Sequence, residues 1–143
     1  MFGGSSWQWD GRREQYFLHN FLSNQPDLNI HSLDVQDALL DVVRFWLDKG
    51  VDGFRLDTIN FFIHDKLLRD NPPIPAQERN HSIATKVNPY NWQNHIYSKN
   101  QPENIIFLER IRALVDQYEG RACLGEVGDA QRGMQILKKG SII

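Results

Sequence analysis

Residues 51–57 read Val-Asp-Gly-Phe-Arg-Leu-Asp, and this stretch decides how the rest of the chain is interpreted. Its apolar residues, bounded by Gly50 and by a loop-like segment, predict a β-strand. Side chains alternate along a strand, so Arg55 and Asp57 share one face while Phe54 and Leu56 share the other. The strand therefore ends on a carboxylate that has a cation beside it.

A second strand is predicted at residues 121–127, Arg-Ala-Cys-Leu-Gly-Glu-Val. Alternation places Ala122, Leu124 and Glu126 on one face, with Cys123 and Val127 on the other. This strand also carries an acidic residue near its end.

A helix is predicted immediately before the first strand, over residues 35–48. Asp34 is positioned to cap its start, and Lys49-Gly50 supplies a stop. The apolar residues that recur at helical spacing are Val35, Ala38, Leu39, Val42 and Trp46, with Val43 and Leu47 widening the stripe.

A second helix is predicted over residues 103–118, and a third begins near Asp129 or Ala130. Helices that alternate with strands are typical of βαβ units with a parallel sheet. The insert at 58–101 is far longer than an ordinary loop and predicts one short helix, at 62–69. Residues 1–33 predict a loop with one or two short strands.

Composition excludes several classes of protein. The chain has 143 residues with 16 basic and 18 acidic side chains, a balance that argues against a nucleic-acid or membrane-surface partner. One cysteine, Cys123, excludes an internal disulfide framework and a multi-cysteine zinc site. The five histidines lack metal-ligand spacing, so we expect no metal site. We expect a soluble, cytoplasmic domain that needs no cofactor.

Asp57 and Glu126 are the candidate catalytic residues. The carboxyl ends of parallel strands meet at one rim, where α/β folds bind ligands. Two carboxyl groups about 5–5.5 Å apart perform retaining glycoside hydrolysis, one as nucleophile and one as acid and base. Arg55 would keep Asp57 ionised, whereas Glu126 has apolar neighbours and no adjacent cation, as a general acid requires.

Structural interpretations of the same residues stay open at this point. Asp57 and Glu126 would also suit a role at the start of the helix that follows each strand. The aromatic residues of the first segment would serve a core as readily as a sugar-stacking wall. On pattern alone, a small open α/β binding domain is an alternative to an enzyme.

Three motifs carry a resemblance to a known family. Residues 25–29 (Gln-Pro-Asp-Leu-Asn), 53–58 (Gly-Phe-Arg-Leu-Asp-Thr) and 125–129 (Gly-Glu-Val-Gly-Asp) resemble the α-amylase family of glycoside hydrolases, family thirteen. Order and spacing are similar to those of its bacterial α-glucosidase and oligo-1,6-glucosidase branch. The resemblance runs from Phe2 to about Met134 and implies an α/β fold, a (β/α)₈ TIM barrel.

The resemblance also implies roles for individual residues. Asp57 matches the catalytic nucleophile, Glu126 the general acid/base, and Arg55 the arginine that holds the nucleophile. Thr58 follows the nucleophile, where threonine accompanies cleavage of α-1,4 links. Substrate-binding roles are implied for Arg55 and Thr58, and for two aromatic residues that resemble the walls of the glucose pocket, Phe2 and Phe21.

A complete barrel takes about 250 residues, so the resemblance implies a partial one. Residues 1–24 match the end of an inserted small domain, and residues 25–143 match the barrel around its fourth and fifth strands. The family's Asp and His motifs after the first and third strands are absent, as is the His-Asp pair after the seventh. We therefore expect the isolated chain to be inactive.

The function implied is that of a retaining α-glucosidase acting on small oligosaccharides or glucosides. One alternative is a transglucosidase or sucrose isomerase with the same site. Another, of a different class, is a non-catalytic transporter-associated barrel domain, although those generally lose the catalytic carboxylates.

Overall fold

The computed structural model describes residues 4–79 and 84–128, which form two small sheets and two helices. In chain order these are β1 (Trp7–Asp10), β2 (Gln15–Leu18), α1 (Leu33–Asp48), β3 (Gly53–Leu56), α2 (Glu103–Val115) and β4 (Ala122–Gly125). Short 3₁₀ turns lie at Ile59–Phe61, Ala76–Glu78 and Pro89–Trp92. Neither described helix is long and apolar enough to span a bilayer.

Strands β3 and β4 pair in parallel, which confirms the βαβ prediction. Gly53 lies opposite Ala122, and Leu56 lies opposite Gly125. Only glycine fits at the first of these positions, because a Cβ on Gly53 would stand 2.1 Å from the carbonyl oxygen of Ala122. Strands β1 and β2 form a separate antiparallel hairpin within the segment predicted to hold short strands.

Helix α1 begins two residues earlier than the sequence predicts. Ser32, not Asp34, is the N-cap: its hydroxyl accepts a hydrogen bond from the Val35 backbone N–H. Asp34 lies in the first turn, where its charge is favourable beside the exposed N–H groups. The predicted stop is confirmed, with Gly50 in the left-handed conformation that follows many helices.

The predicted apolar stripe of α1 is only partly buried. Val35, Leu39 and Val43 pack against the core, and Leu47 is buried within it. In contrast, Ala38 is exposed, and 54% of Val42 and 48% of Trp46 are exposed. Val42 lines a cavity together with Phe107 and Ile111 of α2, so this part of the predicted stripe faces open space. Gln36 lies against α2, where its side-chain oxygen accepts a hydrogen bond from Arg110 at 2.6 Å.

Helix α2 supplies most of the core. Its buried apolar residues are Phe107, Leu108, Ile111, Leu114 and Val115. They pack with Cys123, whose side chain lies on the opposite face of β4 from exposed Leu124, as alternation predicts. The helix ends at Val115, three residues before the predicted boundary, with Asp116 as its C-cap.

The long segment between β3 and α2 folds back on itself and forms a stem. Near its base the Asn100 N–H donates to the Asn60 carbonyl at 2.8 Å, and further along the Asp65 N–H donates to the Tyr97 carbonyl at 2.7 Å. The stem continues with an antiparallel bridge between Pro73 and Gln93. Both ends of the segment therefore lie close together, beside the carboxyl end of β3.

This stem explains why the helix predicted at 62–69 is wrong. The Asp65 N–H donates a hydrogen bond to the Tyr97 carbonyl, and the His64 carbonyl lies at hydrogen-bond distance from His31 Nε2. Both groups are therefore paired with distant residues and not with residues one helical turn away. Leu68 has a left-handed backbone, with φ of 54°. The third predicted helix, near Asp129 or Ala130, lies outside the described residues.

Candidate active site

The carboxyl ends of β3 and β4 place Asp57 and Glu126 next to each other. Arg55 lies opposite Leu124 in the ladder, so the residues two further on, Asp57 and Glu126, also lie opposite each other. Pairing continues past both strands, because the Glu126 N–H donates to the Leu56 carbonyl at 2.9 Å. The predicted meeting of the two acids at one rim is thus confirmed as geometry.

Arg55 contacts both acids. Its Nη1 lies 3.1 Å from Asp57 Oδ1, and its Nη2 lies 2.7 Å from Glu126 Oε2. These side chains are 58%, 68% and 47% exposed, so the ion pairs add little to folding stability. Their effect is to orient the carboxyl groups, because the planar guanidinium fixes both at once.

The contact with Glu126 corrects one expectation. Sequence neighbours left Glu126 without an adjacent cation, but Arg55 reaches it across the sheet at 2.7 Å. The pairing of β3 with β4 brings the two side chains together, and this contact cannot be inferred from residues adjacent in the sequence. The absence of a cation is therefore not the feature that distinguishes Glu126 from Asp57.

The two acids also influence each other. The pKa of Asp57 lies below its ordinary value, chiefly because of side-chain hydrogen bonding with Glu126 and secondly because Arg55 is close. The direction agrees with the sequence expectation, although the larger cause is Glu126. Asp57 is therefore held ionised at neutral pH, the state that a nucleophile needs.

A cavity of about 510 Å³ reaches from Asp57 to apolar residues of α1 and α2, among them Val42, Phe107 and Ile111. Thr58 and Phe21 line it, as does Phe61, whose ring packs on that of Phe21 with centroids 5.3 Å apart. Phe21 and Thr58 are thus brought to Asp57, whereas Phe2 lies outside the described residues. The aromatic residues of the cavity are of the kind that line many ligand sites, whereas Leu39, Val42 and Val43 belong to the inward side of α1.

Sequence reasoning missed two residues of this cavity. Phe61 follows Asp57 by four positions in a stretch without regular periodicity, so no pattern indicated its contact with Phe21. Asp27 also lines the cavity and accepts hydrogen bonds from the backbone and side chain of Asn20. Burial raises its pKa. Its place in the Gln25–Asn29 motif was a usable signal.

His64 and Asp65 have structural partners. His31 Nε2 lies 2.8 Å from the His64 carbonyl, and Asp65 forms an ion pair with Arg69 at 2.6 Å. That pairing lowers the pKa of Asp65 to about 2. Across residues 4–79 and 84–128 no group of three His, Cys, Asp or Glu side chains is arranged to hold a metal ion.

Acidic residues at the carboxyl ends of two parallel strands, both contacted by Arg55, are typical of the ligand-binding rim of an α/β enzyme. The model of the α-amylase catalytic domain matches residues 1–139. The chain belongs to this family.

Two relatives are similar in sequence over most of this chain. The chain is 62% identical over 136 residues to a "Probable alpha-glucosidase" of Rhizobium meliloti (strain 1021), covering 95% of this chain and 25% of that protein. It is 37% identical over 118 residues to the human amino acid transporter heavy chain SLC3A1, covering 82% and 17%. The chain therefore spans about a quarter or less of these relatives.

A solved structure is similar as well. The crystal structure of the α-glucosyl transfer enzyme XgtA superposes with a TM-score of 0.83 at 57% sequence identity, covering 90% of this chain and 24% of that one. This likeness agrees with the prediction of a partial (β/α)₈ barrel.

Proposed function

We propose that this chain carries the nucleophile and the general acid/base of a retaining α-glucosidase that acts on short α-glucosides. The observation that carries the proposal is the arrangement of Asp57 and Glu126, bridged by Arg55 at 3.1 and 2.7 Å. A retaining mechanism requires the two carboxyl groups to be about 5–5.5 Å apart, whereas an inverting enzyme leaves about 6.5–9.5 Å between them for a water molecule.

In the first step the ionised Asp57 carboxylate attacks the anomeric carbon, and the bond from that carbon to the leaving oxygen breaks. Glu126 gives its proton to the departing oxygen, so a glucosyl ester of Asp57 and a free alcohol are formed. In the second step Glu126, now ionised, takes a proton from water. The resulting hydroxide attacks the same carbon and releases Asp57 with net retention.

Other residues would shape the substrate site. Phe21 offers an aromatic wall beside Asp57 and is supported from behind by Phe61. Thr58, directly after the nucleophile, is the basis for proposing α-1,4 specificity, and this proposal rests on the family resemblance. Asp57 and Arg55 need no metal or redox cofactor for the steps above.

The test is an active chimera in which this chain replaces the matching segment of the 62%-identical Rhizobium meliloti relative. We expect it to hydrolyse a nitrophenyl α-glucoside and both Asp57→Ala and Glu126→Ala to abolish that activity. Added azide then separates the roles. In Asp57→Ala azide attacks from the nucleophile's side and gives β-glucosyl azide, whereas in Glu126→Ala it intercepts the glucosyl ester and gives α-glucosyl azide.

The opposite anomer from either variant would contradict the assigned roles. Failure of the unaltered chimera to turn over any α-glucoside would favour the non-catalytic class represented by the transporter heavy chain.

A second candidate is transfer of the glucosyl group to a sugar, favoured by the similarity to XgtA. Both reactions share the first step and differ in what attacks the ester. With maltose, hydrolysis liberates two glucose molecules, whereas transfer produces longer or rearranged oligosaccharides. Product analysis of the chimera therefore distinguishes them.

A further inference from the structure

The turn that follows β3 has an unusual backbone at Thr58. Its φ of 43° and ψ of 46° lie in the left-handed region. Among the described residues other than glycine with positive φ, Thr58 is β-branched, whereas Glu14, Leu68 and Asn100 are not. Branching at Cβ makes this conformation particularly unfavourable. Such strain persists only where the surrounding structure imposes it, and it clusters at functional sites.

The hydrogen bonds around this turn depart from a regular parallel ladder. In a regular ladder one residue bonds to two residues of the neighbouring strand that are two positions apart. Here the Glu126 N–H donates to Leu56 at 2.9 Å, while the Glu126 carbonyl accepts from the Ile59 N–H at 3.0 Å, three positions further on. One extra residue is therefore accommodated opposite Glu126, as in a β-bulge, a feature that re-aims side chains beside active sites.

We propose that Thr58 is a positioning residue: its left-handed backbone turns the Ile59 N–H onto the Glu126 carbonyl and so sets the distance between the Asp57 and Glu126 carboxyl groups. The inference deepens the proposed function and rests on it. The two hydrogen bonds hold the Glu126 peptide from both sides, and the Asp57 side chain leaves the backbone between them.

Three charged groups interact with Asp57 or share its cavity. Arg55 lies on its own strand, Glu126 lies on β4, and Asp27, from the segment before α1, lines the same cavity. Hydrogen bonding with the Glu126 carboxyl is the largest cause that lowers the pKa of Asp57. If the Glu126 backbone shifts away, that hydrogen bond weakens and the pKa of Asp57 rises.

The experiment replaces the Ile59 amide with an ester in the active chimera, by incorporating the α-hydroxy acid analogue of isoleucine. This removes the N–H and leaves every side chain unchanged. The matched control is the same replacement at Ala122, whose N–H donates to the Asp52 carbonyl at 3.2 Å and joins the two strands at their other end. A second variant, Thr58→Pro, fixes φ near −65° and forbids the left-handed backbone.

We expect the Ile59 ester to lower kcat by about 10- to 100-fold, the scale of a misplaced catalytic group. The acid limb of the kcat/KM profile should move to higher pH, and Thr58→Pro should act in the same direction. The Ala122 ester should lower the unfolding temperature to a similar extent and leave the acid limb in place.

An unchanged acid limb in the Ile59 ester overturns the inference, as does an equal shift in both esters, which would report sheet stability alone. The proposed function is judged separately, by the anomers formed with azide. The ester result is therefore interpreted in an enzyme whose nucleophile is already assigned.

Discussion

Arg55 is the side chain on which the arrangement of the site depends. Arg55 lies on β3, two residues before Asp57, and its side chain reaches Glu126 just past the end of β4. A single planar cation therefore contacts both acids. An arginine at this place is predictable from the sequence because strand alternation puts it on the face of Asp57. Its contact with Glu126 is not predictable in the same way, since neighbours on adjacent strands depend on the register of pairing.

Replacing Arg55 with glutamine should reduce kcat/KM of the chimera by about 100-fold, as when one preorganised charged contact is removed from a transition state. The folded-state pKa of Asp57 is lowered, so its ionised form is present above that pKa and is lost as pH falls through it. Without the cation this pKa rises, and the acid limb of activity moves to higher pH.

The matched control for this change is Arg121→Gln. Arg121 pairs with Asp52 at 3.1 Å near the amino ends of the same strands, away from the two carboxyl groups. We expect its pH profile to match that of the unaltered chimera. An Arg55→Gln enzyme with the same acid limb as the Arg121→Gln enzyme would show that Arg55 does not set the ionisation of Asp57.

At the scale of elements, β3 and β4 approach so closely that one position tolerates no side chain. Gly53→Ala would bring a Cβ to within 2.1 Å of the Ala122 carbonyl, and that neighbour is backbone, which cannot rotate away. We expect a loss of about 1–3 kcal/mol of stability, as for other overpacked sites. Urea unfolding of the chimera measures it.

Gly11→Ala provides the comparison for Gly53. The nearest atom to a Cβ at Gly11 is Trp9 Nε1 at 3.9 Å, an ordinary contact. Equal urea midpoints for these two variants would mean that β3 and β4 can move apart with no loss of folding stability. A lower midpoint for Gly53→Ala alone supports the close approach.

The start of α1 makes a second prediction at this scale. Ser32→Ala removes the capping hydroxyl and should cost about 1 kcal/mol, whereas Asp34→Ala removes only a first-turn charge and should cost less. Thermal unfolding of the two variants, compared at equal protein concentration, gives the order. A larger effect at Asp34 would restore the boundary that the sequence predicted.

Predictions from sequence periodicity were confirmed in this chain where contacts between residues close in sequence determine the structure. The faces of β4 and the stop of α1 at Lys49-Gly50 follow from neighbouring residues, and both are confirmed. The failed helix at 62–69 depends on partners more than 30 positions away, such as His31 for His64. No local pattern contains that information.

At the scale of the whole molecule, the described residues hold two acids of the proposed site but only two parallel strands of a barrel. Exposed apolar side chains remain on α1 and β4, including Phe45 at 53% and Leu124 at 61%. Surfaces of this kind need covering by other structure. The chain spans 25% of its 62%-identical relative, which agrees with that need.

We therefore expect the purified 143-residue chain to show no measurable hydrolysis of a nitrophenyl α-glucoside under conditions where the chimera is active. The chain covers 25% of its 62%-identical relative, so we expect that relative to bring further groups to the sugar. Activity of the isolated chain that disappears in Asp57→Asn would contradict this expectation. Activity that persists in Asp57→Asn would be attributed to a contaminating enzyme.

The stem between β3 and α2 has a consequence for how such a barrel can change over time. Its two sides meet at Asn60 and Asn100 and again at the bridge between Pro73 and Gln93. The residues beyond that bridge form the outer part of the stem. Insertions, deletions or exchange beyond the Pro73–Gln93 bridge would leave the spacing of β3 and α2 untouched, whereas Phe62 and Ile63 nearer the base pack with the core. Diversity can therefore accumulate in the outer part of the stem while the strand that leads to Asp57 is inherited unchanged.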